Sequence, residues 1–288
     1  MIGEPRSVWN LGAELGEGPL WFDDALWFVD IKKQQIYCFE PATGDRRSWP
    51  APEQVGFIAA RQKGGFVAGL QSGLFSFDPT DGAFAPLAAV EAALPGNRLN
   101  DGVVDHAGRL WFGSMDNSER DNCGAYYCYE GGKVRPAGID NICITNGPAV
   151  SPDGRLLYLV DTLGRTIFTC EIDDDGTLGE ARPFARIEQG AGYPDGPTVD
   201  SEGHLWIGLY AGWEARRYSP AGELVDRVRF PVANITKIAF GGPDLRTAYA
   251  TTARQMLSAE VIAAQPQIGD LFEFQVEIPG LPCQLVAD

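Results

Sequence analysis

Six positions recur at matched places along the chain: Glu17, Val55, Asp101, Asn146, Asp195 and Lys237. Each lies 10 or 11 residues before the centre of an apolar stretch, and all but Lys237 are followed by glycine, as in LGEGPLW, RLNDGVVD, ITNGPAVS and YPDGPTVD. Side chains at equivalent strand positions point the same way, so five polar residues are expected to converge on one point. Burying charge together costs free energy unless something compensates it, and the residue types say what. Glu17, Asn146 and Asp195 offer only oxygen donors, a set that suits a hard cation such as Ca2+, Mg2+ or Mn2+ better than a His/Cys zinc site. Arg98 and Asn100 flank the third slot, two residues apart and therefore on one face. Lys237 is expected to pair with a carboxylate of the cluster or to approach an acidic product.

Other hydrolytic chemistries lack their parts. The chain holds two histidines, His106 and His204, both in turns (DHAGRLW and DSEGHLW), and no G-x-S-x-G elbow. Nucleophilic serine catalysis needs a base, most often His. H-E-x-x-H and phosphate-binding glycine loops are absent as well. Asn234-Ile-Thr matches a glycosylation pattern, but it falls on an expected inner strand and is read as coincidence.

The elements that must position these residues are repeats. A turn followed by an apolar strand recurs around Trp27, Phe66, Trp111, Leu157, Trp206 and Ala248, at intervals of 39, 45, 46, 49 and 42 residues. A second, aromatic or β-branched strand follows each, for example QIYCFEPATGD and GLFSFDPTDGA, running into a Gly/Pro/Asp turn as hairpin strands do. Helical periodicity is confined to one or two turns within 257–264. Units of this length with several strands each predict an all-β, six-bladed propeller of four-stranded blades around a central channel. The stretch 7–12 (SVWNLG) has no local partner, so the N-terminal strand is expected to complete the last blade, leaving residues 1–288 as one domain. The 35 glycines fit many turns and a crowded axis.

Charge and composition exclude some partners. With 23 Lys+Arg against 39 Asp+Glu, a net charge of −16, a basic nucleic-acid face is not expected. No apolar run reaches the ~18 residues of a membrane helix, and no secretory leader is evident at the start. The chain is expected to act without membrane or nucleic acid, in the cytoplasm, as a monomer or homodimer. The six cysteines show no C-x-x-C spacing and are expected to be reduced core residues.

LGEGPLW (15–21), RLNDGVVDHAGRLWFGSMD (98–116), ICITNGPAVSPDGRLLYLVDT (142–162) and YPDGPTVDSEGHLWIGLY (193–210) resemble the SMP-30/gluconolactonase/regucalcin family of six-bladed propellers. Within that family the chain is similar to bacterial sugar lactonases such as xylonolactonases and arabinolactonases. The resemblance implies one divalent cation (Ca2+, Mg2+, Mn2+, Zn2+ or Fe2+) held by Glu17, Asn146 and Asp195, with Asn100 near metal and substrate and Arg98 on the sugar acid. It implies hydrolysis of an aldonolactone; for that chemistry Asp195 is expected to assist the attacking water, and Arg98, Asn100 and Asp101 to orient the sugar. Some members carry an acidic substrate contact in the loop that here reads SMDNSERDN (114–122); Ser118 is expected at that place, with Asp116 and Glu119 nearby. Two other readings stay open: a phosphotriesterase or aryl-lactonase on the same fold, and an interaction scaffold that uses exposed aromatics such as Trp213.

Overall fold

In a computed structural model, which describes residues 2–287, the repeats fold as antiparallel sheets. A short strand, β1 (Arg6–Trp9), precedes the first sheet, which runs β2 (Gly16–Phe22), β3 (Ala25–Asp30), β4 (Gln35–Glu40), β5 (Asp45–Pro50). The second is β6 (Val55–Ala60), β7 (Phe66–Leu70), β8 (Gly73–Asp78), β9 (Ala83–Ala89), and the third β10 (Asn97–Val104), β11 (Leu110–Asp116), β12 (Gly124–Glu130), β13 (Lys133–Ile142). The fourth is β14 (Thr145–Val150), β15 (Leu156–Asp161), β16 (Thr166–Glu171), β17 (Arg182–Arg186). Then follow β18 (Tyr193–Val199), β19 (Leu205–Tyr210), β20 (Glu214–Tyr218), β21 (Leu224–Arg229), β22 (Ile235–Gly241), β23 (Thr247–Thr252) and, after a helix α1 (Ala259–Ala264), β24 (Leu271–Gln275).

The all-β propeller expectation holds, but the six separate four-stranded blades do not. The structure has four such blades and one eight-stranded sheet, in the order β1-β24-β23-β22-β18-β19-β20-β21. The physical reason is a parallel pairing of Gly196 with Lys237, which joins β18 to β22 at the axis. A Cβ at Gly196 would lie 2.7 Å from the Lys237 stem, so only glycine lets the two backbones come this close. β1 does pair antiparallel with β24, placing Arg6 opposite Glu273.

The strands are buried because apolar residues face both neighbouring sheets. The second strand of each repeat is almost wholly buried, as in ALWFVD and LWFGSMD, and its aromatic and branched residues suit a pleated, covered surface. Polar residues fall on outer strands such as β5 (DRRSWP, mostly exposed).

One device is repeated. Asp105 and Asp200 each sit six residues before a tryptophan, and each carboxylate accepts the indole N–H (Trp111 at 2.8 Å, Trp206 at 3.0 Å), two backbone amides of its own turn, and an arginine. The first repeat has Trp21 at the corresponding place, and the Trp27 indole N–H is buried without an acceptor. Asp200→Asn keeps the shape and removes the charge opposite Arg217. We expect a loss of about 2 kcal/mol, as for one partner of a buried charged pair whose other contacts survive, seen as a fall in Tm of about 5 °C; an unchanged Tm would show that the carboxylate charge is not needed.

Candidate active site

The inner strands place the slots, and a local irregularity aims them. In β2, β10, β14 and β18 the ladder to the next strand shifts register at the slot: after Glu17, between Leu99 and Gly102, after Asn146, and between Pro194 and Pro197. Such bulges re-aim a side chain. Glu17, Asn146 and Asp195 are each followed by Gly-Pro. The register shift itself is not confined to them, since it also occurs at Val55, Asp101 and Lys237, where no Gly-Pro follows. Asp101 is followed by Gly-Val and Lys237 by Ile-Ala. The Gly-Pro pair is therefore the sequence signal that separates the three oxygen-donor slots from the other two polar ones.

These three residues line one cavity of about 310 Å3 at an end of the axial channel, together with Arg98 and Asn100. Glu17 and Asp195 are only 4% and 6% exposed. Burial pushes the Glu17 carboxyl up to about 7, with the charge of Asp101 adding to the effect and Lys237 opposing it. Asp195 is raised well above the usual carboxylate range, first by burial, then by the charges of Glu17 and Asp101 and a hydrogen bond with Glu17. Two buried carboxyls whose charges act on each other hold a proton or require a cation. Asn146 completes the group: its Oδ1 accepts from Asn100 Nδ2 at 3.1 Å and its Nδ2 donates to Thr162 Oγ1 at 2.9 Å. Asn100 in turn donates to the Thr145 carbonyl at 2.6 Å and accepts from Arg98 at 2.5 Å.

Arg98 is 2% exposed, and its hydrogen bonds go to neutral acceptors: Asn117, the Leu99 carbonyl and Asn100. Burial lowers it to about 10, leaving it cationic at neutral pH. The lining is otherwise largely apolar, with Leu15, Met115, Ile144, Leu163 and Met256, and the rings of Tyr193 and Tyr210. The cavity thus combines charged, hydrogen-bonding groups with apolar surface.

Among the described residues no three His, Cys, Asp and Glu side chains cluster as a metal-binding group. The donor set here is two carboxylates and an amide, all hard oxygens, and it fits Ca2+, Mg2+ or Mn2+. The burial of both carboxyls in the lining of one cavity is the observation that makes the fit specific: a divalent ion removes the repulsion between them.

Several sequence expectations meet a different outcome. Asp101 does not reach the cavity wall; it is 1% exposed, and both its oxygens take the Lys237 ammonium, at 2.6 and 2.7 Å. Ser118 turns inward to the loop, its hydroxyl donating to Asp116 at 2.7 Å. Asp116 also accepts the amides of Ser118, Arg120 and Asp121; the Ser118 hydroxyl first, and then these amides, hold it well below the usual carboxylate range. The acidic side chain at the cavity is its neighbour Glu119, in the left-handed region (φ 59°), accepting from Gln255 Nε2 at 2.8 Å. Trp213 is 42% exposed and lies off the cavity, as does His204. His106 lines a separate cavity of about 160 Å3 at the other end of the channel. Asn234 is buried, bonded to Ala211 and Ala253, which settles it as structural. All six cysteines are free, and no helix of the described residues is long and apolar enough to cross a membrane.

This arrangement sits inside a match that spans residues 15–254 to the model of the SMP-30/Gluconolactonase/LRE-like region. The chain belongs to this family. Relatives of the SMP-30/gluconolactonase chain include a 6-deoxy-6-sulfogluconolactonase of Pseudomonas putida, 32% identical over 92% of both chains. An L-arabinolactonase of Azospirillum brasilense is 35% identical over 93% of this chain and 90% of its own. Among solved structures, a calcium-binding protein, regucalcin, from Agrobacterium tumefaciens superposes with a TM-score of 0.95 at 30% identity, covering 99% of this chain and 98% of that one. Sugar lactonases and a calcium-binding protein of the family are thus similar to this member across nearly its whole length.

Proposed function

We propose that residues 1–288 act as one domain that hydrolyses an aldonolactone to the free sugar acid with the help of one divalent cation. The observation that carries this reading is that Glu17 and Asp195, both buried, line one cavity together with Asn146, Arg98 and Asn100. The printed names of the relatives, two sugar lactonases and a calcium-binding protein, support it.

Glu17, Asn146 and Asp195 would hold the cation. When bound, such an ion polarises an ester carbonyl and eases ionisation of water. The remaining work falls to the chain. Arg98 presents a cation whose guanidinium is already oriented by Asn117 and Asn100, suited to hydroxyls of the lactone and to the carboxylate that forms on opening. Asn100 is locked at both ends of its amide, which fixes what a ring oxygen meets. Asp195 is the base: its carboxylate takes a proton as water adds to the acyl carbon, and the ring C–O bond breaks with that proton passing to the departing alkoxide. Tyr193, Tyr210, Leu163 and Met256 offer apolar surface to the carbon face of the ring.

The reading is tested with chelated protein reloaded with Ca2+, Mg2+, Mn2+, Zn2+ or Fe2+ and offered a panel of 1,4- and 1,5-aldonolactones, an aryl lactone and a phosphotriester. A pH indicator follows the proton released on ring opening. Turnover of an aldonolactone that needs added cation is expected; no rate above the spontaneous one for any pair would sink the proposal, and turnover only of the aryl lactone or phosphotriester would redirect it.

A further inference from the structure

Lys237 occupies the sixth slot but does not line the substrate cavity. It sits behind the cavity floor, 7% exposed, where one strand reaches the neighbours of all three oxygen-donor residues. Its stem packs on Gly196, next to Asp195. Its ammonium holds both oxygens of Asp101, and Asp101 Oδ2 accepts the N–H of Gly147, next to Asn146, at 3.1 Å. The preceding residue, Thr236, donates its hydroxyl to the carbonyl of Gly16, next to Glu17, at 2.6 Å.

The Asp101 carboxylate is the difficulty this arrangement solves. It is a third buried acid whose charge acts on both Glu17 and Asp195. Free to turn, it would be drawn to any cation held by those two. In the structure it is tied at both oxygens by Lys237 and by the amides of Gly102 (2.7 Å) and Gly147.

We infer that Lys237 is a positioning residue for the cation site: it neutralises Asp101 and keeps it on the Gly102 and Gly147 amides, so that the site is built of two carboxylates and one amide instead of three carboxylates. The inference rests on the cation-dependent reading above. Lys237 touches neither substrate nor cation in this arrangement; it acts through Asp101 and the backbone of β14 and β18. The site keeps a net charge low enough to leave the cation acidic toward its substrate, because each added anionic ligand weakens that acidity.

The test uses the full chain, with Lys237→Met, Lys237→Arg and the double variant Lys237→Met/Asp101→Asn. For Lys237→Met, kcat on the lactone turned over by the wild type is expected to fall about 10- to 100-fold, the scale for residues that support metal ligands, with KM little changed. Calorimetric titration of the chelated variant with Ca2+ or Mn2+ alone is expected to show binding no weaker than wild type, since Asp101 is released toward the cation. A merely structural lysine would weaken binding in step with Tm. Adding Asp101→Asn is expected to recover most of the lost kcat, because the side chain no longer brings charge and its one amide oxygen can still accept from Gly102 or Gly147. Lys237→Arg, which retains the charge, is expected to lose less than Lys237→Met. Should Lys237→Met fail to fold, the double variant, which leaves no unpaired buried charge, carries the test: kcat within about tenfold of wild type supports the role, and a deeper loss overturns it. Wild-type kcat in Lys237→Met, or a double variant worse than the single one, also overturns it. A wild-type protein that neither takes up cation nor opens any lactone would instead remove the functional reading itself.

Discussion

Asp195→Asn is expected to lower lactone hydrolysis by about 100- to 10,000-fold, the span that a positioned acid–base group contributes, while making the cation-free protein more stable. The two effects share a cause. Asp195 is buried beside Glu17 and its carboxyl is raised well above the usual range, by burial first, so the folded chain holds an anion there only at a cost. Asparagine resembles the neutral acid and removes one of two repelling charges without changing volume. At pH 8 in chelator the variant should melt higher than wild type by about 3–5 °C, equivalent to one or two kcal/mol in a chain of this size. Added Ca2+ or Mn2+ should stabilise wild type and leave the variant nearly unmoved. Opposed changes in activity and stability mark a residue kept for function. The measurements are initial rates on the active lactone, a circular dichroism spectrum to show the fold intact, and melting curves with and without cation; a variant that keeps its rate removes Asp195 from the mechanism.

How far this site is legible in the sequence depends on how local its causes are. The slots at Glu17, Asn146 and Asp195 can be read because a repeat places them at matched distances from strands whose composition is unmistakable, and the Gly-Pro after each sets them apart from the other slots. Arg98 and Asn100 follow from sharing a strand face with each other. Asp101 shows the limit. Its slot and its following glycine look like the others, and only the fold reveals that Lys237, 136 residues away, takes its charge. The same holds for Glu119: which of the acidic residues in 114–122 turns to the cavity is decided by a left-handed φ and by Gln255 on a distant loop. The joining of β18 to β22 into an eight-stranded sheet rests on one glycine lying against one lysine stem. Repeat length predicts strands and turns, but it cannot register whether two neighbouring sheets approach closely enough at the axis to bond.

The cation-free protein is expected to lose stability as pH rises from about 5 to about 8, and bound cation is expected to abolish that loss. Glu17 has an ordinary value of 4.5 and is raised to about 7 in the folded chain. The folded state then binds its proton more tightly than the unfolded state, so the stabilisation is complete below about 4.5 and disappears as pH climbs through 7. For this one group the loss is on the order of 3 kcal/mol once ionisation is complete, or a fall in Tm of about 5–10 °C, and Asp195 acts in the same direction. Carboxylates shifted the other way do not confuse the window. Glu188, lowered to about 2 chiefly by its hydrogen bonds with Arg216, and Asp116, held low by its loop, contribute stability that is lost only below about pH 4. A divalent cation removes this slope because it binds the ionised carboxylates and competes with protons. Its stabilisation should therefore be small at pH 5 and grow to about 4 kcal/mol at pH 8 when the ion is present at ~1,000 times its Kd. Melting curves at unit steps of pH, in chelator and in Ca2+ or Mn2+, distinguish the outcomes. A chelated Tm that rises across this range, or a cation-induced shift equal at pH 5 and pH 8, would mean that Glu17 and Asp195 are not the groups that receive the ion.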